Sequence, residues 1–143
     1  MAVKSGSASQ VKSFIYDELD LTSVRQLAKD TFKWDDATVE QAEHNYRDFL
    51  WVCANFAGGE TTMTWVSLLA DMMGHTHLQN PAAFVAACEK IFGQGRALVH
   101  EPLYEERLVT QADCDLARSH YTELGLPLPG DLRNKCIWAV VTD

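Results

Sequence analysis

Along most of the chain, apolar residues recur at every third or fourth position, the spacing of a helix with one buried face. Val11, Phe14, Ile15 and Leu19 predict a first helix over about 9–19. Ser23 and Gln26 have the spacing of a capping box, so a second helix is expected from there, with Val24, Leu27, Ala28 and Phe32 inward. Asp35 or Asp36 should cap a third and strongest helix, whose buried stripe reads Val39, Ala42, Tyr46, Phe49, Leu50 and Cys53. Gly58 and Gly59 are expected to end it. Trp65, Leu68, Leu69 and Met72 place a fourth helix over about 62–77. Asn80 and Pro81 stop that helix and open a fifth, as cap and first helical residue, which carries Phe84, Val85, Cys88, Ile91 and Phe92 to Gly93. Residues 94–107 read as a loop. Thr110 and Asp113 begin a sixth helix with Leu116 and Tyr121, closing at Gly125.

The end of the chain breaks the pattern. Leu126-Pro127-Leu128-Pro129-Gly130 reads as an extended linker. Cys136 to Val141 is β-branched and aromatic, which favours a strand, but the pattern offers no second strand to pair with it. The expectation is therefore an all-α bundle of five to six helices forming one domain over 1–143. Residues 1–10 would be a frayed Ser-rich tail, 20–125 the core, and 126–143 a C-terminal extension left unassigned.

Composition narrows the partners. Among 143 residues, 12 basic side chains face 20 acidic ones, for a formal charge of −8. The basic residues are scattered, so no stripe can neutralise phosphates, and neither nucleic acid nor an anionic membrane is an expected partner. No apolar run approaches the ~20 residues that span a bilayer. Nor do the first ten residues resemble a signal peptide. Cys53, Cys88, Cys114 and Cys136 form no C-x-x-C pair, so reduced thiols in a cytoplasm are expected.

Candidate chemistry gathers in one stretch. Asp71, His75, His77, Cys88 and His100 are the one cluster of metal-ligand residue types along the sequence. Asp71 and His75 lie one helical turn apart on one side, where they can share a metal ion. His100, on the loop after the fifth helix, could fold back as a third ligand and Cys88 could supply a fourth; such a set suits zinc or iron. Without metal, Asp71 would orient His75 as a general acid–base, with His77 as a further catalytic or substrate-binding group. The spacing equally suits a hydrogen-bonded pair with no catalytic role, and Cys88 suits a buried structural thiol. The four Trp residues read as core and rim packing, and His44 and His120 as surface residues.

These same residues resemble the glycine-rich domain-containing protein family. The stretch D-M-M-G-H-T-H-L-Q from Asp71, C-E-K-I-F-G from Cys88 and L-V-H-E-P ending at Pro102 follow that family's D-x-x-W-H-x-H, C-x-x-x-F-G and L-H-H-x-P in order. The run A-E-x-x-Y-R-x-F-L from Ala42 is similar to the helix that precedes the motif, so the likeness covers about 20–125. Gly74 stands where the family has Trp, and Val99 where it has the first His of a pair. The resemblance implies a site built from Asp71, His75, His77, Cys88 and His100, and no particular reaction. Two functions follow as expectations. One is an enzyme of small-molecule, biosynthetic metabolism using a divalent metal or His/Asp acid–base chemistry on a small-molecule substrate. The other is a non-catalytic interaction module whose histidines form a structural polar network.

Overall fold

The structure, a computed structural model, describes residues 8–56, 63–100, 111–130 and 132–142; for 63–66, 99–100, 111–114 and 132–142 it describes the backbone alone. The Ser-rich start to residue 7, the Gly58-Gly59 stop, Thr110 and Pro102 lie outside the described residues, as does the second half of the expected 94–107 loop.

The periodicity resolves into the helical domain it predicts. Six α-helices are described: α1 (Ala8–Ser13), α2 (Thr22–Phe32), α3 (Asp36–Phe56), α4 (Leu68–Leu78), α5 (Pro81–Phe92) and α6 (Gln111–Glu123). The first expected helix splits. After α1 the chain widens into one π-turn, Phe14–Glu18, closed by Leu19 N–H donating to the Phe14 carbonyl at 2.8 Å. The guanidinium of Arg47 on α3 donates to the carbonyls of Ile15 and Leu19 and is itself held by Glu43. Carbonyls that a wide turn leaves without helical partners are thus satisfied from the neighbouring helix.

The caps differ in detail from the sequence pattern. α2 begins at Thr22, whose N–H donates to Asp20 Oδ1 at 3.0 Å, so the Ser23–Gln26 box is not used. Asp35 caps α3 through Thr38 N–H at 2.8 Å. Asn80 caps α5 through Ala83 N–H, with Pro81 at the first position as expected. Lys33 ends α2 in the left-handed region at φ 59°, the one non-glycine residue there among those described.

α3 forms the centre. Every residue of its expected stripe, Val39, Ala42, Tyr46, Phe49, Leu50 and Cys53, is buried in one core cluster with Val11, Ile15, Phe84, Ile91 and Phe92. Two inward assignments fail at the ends of faces: Leu27 and Val85 are exposed, each a step off the stripe its helix buries.

The fourth helix is shorter than expected. Residues 63–67 are strand β1 (Met63–Ser67), and α4 starts only where Ser67 Oγ accepts the Ala70 N–H at 2.9 Å. The hydroxyl cap is what stops α4 extending backwards through Val66 and Trp65. Likewise the start of the expected loop is strand β2 (Arg96–His100). Both pair antiparallel with β3 (Leu132–Thr142), in the order β1-β3-β2, with a bulge between Trp65 and Val66. The C-terminal segment is therefore a strand. Its partners come from opposite sides of the α4–α5 hairpin, which is why no neighbour along the sequence betrayed them.

Candidate functional site

α4 holds the first set of expected site residues, and it divides them. Asp71 is buried and its Oδ2 lies 3.5 Å from His75 Nε2, with the His75 side chain about half exposed. The one-turn spacing thus brings this pair together at the protein surface. His77, two residues on, points the other way. It is 3% exposed, lies edge-on to Phe84 at 5.1 Å and to Tyr46 at 5.8 Å, and its Nδ1 shares a 2.8 Å hydrogen bond with the Tyr46 hydroxyl. Burial pushes the His77 pKa down to about 4 and the Tyr46 pKa well up, so both are neutral near pH 7.

Cys88 is buried in the same core, and its thiol is pushed up to about 11 by burial, offset by a hydrogen bond with the Leu98 backbone. Burial pushes the Cys53 thiol well up too. Both thiols are free. Backbone pairing places His100 opposite Trp138 at the end of β2; its side chain lies outside the described residues. Among the described residues, no three His, Cys, Asp or Glu side chains meet where a metal ion could sit. Asp71 and His75 therefore come together, while His77 and Cys88 face Tyr46 and the core.

A second His–Asp pair went unread in the sequence. On α3, His44 Nε2 lies 3.3 Å from Asp48 Oδ2, again one turn apart. Asp48 is 4% exposed, while the His44 side chain is 58% exposed. The other carboxylate oxygen, Oδ1, accepts the Tyr16 O–H at 2.7 Å. Tyr16 sits in the π-turn that Arg47 clamps to α3, so a wide turn and a half-buried guanidinium together set this phenol on Asp48. Burial, then the hydrogen bond to Asp48, push the Tyr16 pKa far above the usual phenol value. It is a donor to Asp48 and nothing else at ordinary pH.

This pair opens into a groove of about 550 Å³, within the range of small-molecule sites. One wall is the stripe Gln41, His44, Asn45 and Asp48; the other is Leu69 of α4 and the 127–130 segment. The amides are fixed in sequence. Gln41 Nε2 donates to Asn45 Oδ1 at 2.7 Å, and Asn45 Nδ2 donates to Ser67 Oγ at 3.3 Å. The hydroxyl that caps α4 thus also anchors the groove floor.

The sequence did carry a signal for Asp48. It falls within Y-R-D-F-L-W, amid residues that α3 buries, and a carboxylate there needs partners. His120, read as a surface residue, is instead buried and stacked on Phe56 at 4.0 Å. No protein family, no curated protein and no solved structure matches the chain.

Proposed function

We propose that the chain is an enzyme of small-molecule metabolism that moves a proton with His44. The observation that carries this reading is the Tyr16–Asp48–His44 chain at the wall of an open groove. Asp48, held by Tyr16 on one oxygen, has its other oxygen 3.3 Å from His44 Nε2. With the ring proton on Nε2, Nδ1 is the nitrogen that takes a proton, and the carboxylate beside the ring steadies the imidazolium formed. Asp48 and Tyr16 are positioning residues; His44 is the catalytic one. A reducing cytoplasm suits the free Cys53 and Cys88 thiols, and no helix among the described residues is long and apolar enough to cross a membrane.

The test is direct. The purified protein is incubated with the small-molecule fraction of a cell extract and followed by mass spectrometry. The reading expects at least one compound to be consumed by the wild type and spared by His44→Ala and Asp48→Asn. Equal profiles for all three would overturn it.

A second reading keeps the site on α4, where the Asp71–His75 pair supports it. There His75 and Asp71 would bind zinc or iron with His100 as a third ligand, the set that their residue types suit. Metal analysis of the purified protein decides: stoichiometric metal lost in His75→Ala supports this reading, and metal-free active protein ends it.

A further inference from the structure

The groove carries an unbalanced charge. Among the described residues that line it none is Lys or Arg, and the carboxylate among them is that of Asp48. Part of its donor set is engaged within the protein: the Tyr16 O–H on Asp48, one N–H of Gln41 on Asn45, and one N–H of Asn45 on Ser67. The Asp48 carboxylate holds Tyr16 on Oδ1 and has His44 Nε2 3.3 Å from Oδ2, with no Lys or Arg among the described lining residues to balance its charge. A carboxylate or phosphate ligand would meet a like charge. An ammonium group carries the opposite charge and three N–H donors that a carboxylate can accept. The opposite wall is apolar, with Leu69, Pro127 and an exposed Leu128. Leu128 is one of the few large hydrophobic side chains among the described residues that lie open to solvent.

We infer that the groove binds a small organic cation, an amine whose ammonium sits beside Asp48 and whose short apolar part lies along Leu69, Pro127 and Leu128. This rests on the groove being the functional site and adds the charge class of what it takes. The protein's overall charge of −8 adds attraction of the same sign at longer range.

The test compares three probes of one shape: n-pentylammonium, 1-pentanol and pentanoate. They are titrated at pH 8, above the ordinary imidazole range, while the His44 ring and Leu128 methyl signals are followed by NMR. A unit charge about 5 Å from Asp48 at the protein surface predicts that the ammonium binds at least about fivefold tighter than pentanoate. Asp48→Asn should remove that preference while leaving weak Leu128 shifts. If Asp48→Asn fails to fold, the wild-type preference should still shrink from 0.05 to 0.5 M salt. Pentanoate or pentanol binding as tightly as the ammonium overturns the cation inference and leaves the groove standing as a site. Should no probe move either signal, the groove takes no small molecule, and the proposed function falls with the inference.

Discussion

Lowering the pH should destabilise the fold through His77, by an amount the structure sets. Its ring is enclosed by Tyr46 and Phe84 and shares a hydrogen bond with the Tyr46 hydroxyl. Burial takes its pKa from an ordinary 6.5 to about 4, so the folded protein holds this ring neutral where the unfolded chain would protonate it. Below pH 6.5 the unfolded state binds the extra proton, and stability is lost as the pH falls through that value toward 4. At ~1.4 kcal/mol per pKa unit, the loss attributable to this ring between pH 7.5 and pH 5 is about 2 kcal/mol. Urea unfolding followed by circular dichroism at pH 7.5, 6.5, 5.5 and 5 measures it, in the wild type and in His77→Gln. The amide of Gln can still accept from Tyr46 and cannot titrate. Carboxylates shared by both proteins contribute equally and cancel in the difference. The gap between the two stabilities should therefore narrow by about 2 kcal/mol on going to pH 5. Parallel curves would refute the assignment of His77 to a closed, neutral core position.

Phe49 is fully buried on the central stripe of α3, so Phe49→Ala should cost about 3–5 kcal/mol in the same unfolding assay. A loss below ~1 kcal/mol would mean that another face of α3 is inward. Ser67→Ala removes both the α4 cap and the anchor of Asn45, and should cost about 1–2 kcal/mol; an unchanged midpoint would place the α4 start elsewhere. Cys53 and Cys88, buried with raised pKa values, should stay unlabelled by iodoacetamide at pH 8 and label fully in urea, as read by peptide mass mapping. Rapid native labelling of either would contradict the core described here.

The helices were legible because their burial is periodic. The six inward residues of α3 follow from spacing alone; residue type gave Asn80-Pro81 and narrowed the α3 cap to Asp35 or Asp36, of which the structure uses Asp35. The sheet was hidden for a physical reason. β1 and β2 are five residues each and do not pair with each other; both depend on β3, far along the chain, so no local pattern records the pairing. Ser67, the hydroxyl that separates β1 from α4, sits in a run that otherwise fits a helix. For the site, i,i+4 spacing correctly joined Asp71 to His75, but helix period alone did not say that His77 would turn to Tyr46 in the core. The His44–Asp48 pair has the same spacing in reverse order. What distinguishes it is the Tyr16 hydroxyl that the π-turn brings onto Asp48, a contact between residues 32 positions apart. Spacing within a helix is visible in sequence; what a carboxylate meets across the core is not.

The central claim is that His44, and not the His75 pair, moves the proton. The most direct measurement takes one compound that the wild type consumes and compares its turnover by His44→Ala and His75→Ala, with thermal unfolding of each as a control. His44→Ala should lower kcat by about 10²–10⁴-fold with Tm nearly unchanged, while His75→Ala should turn over close to the wild-type rate. Full activity in His44→Ala, with the loss falling on His75→Ala, would contradict the claim and move the chemistry to α4.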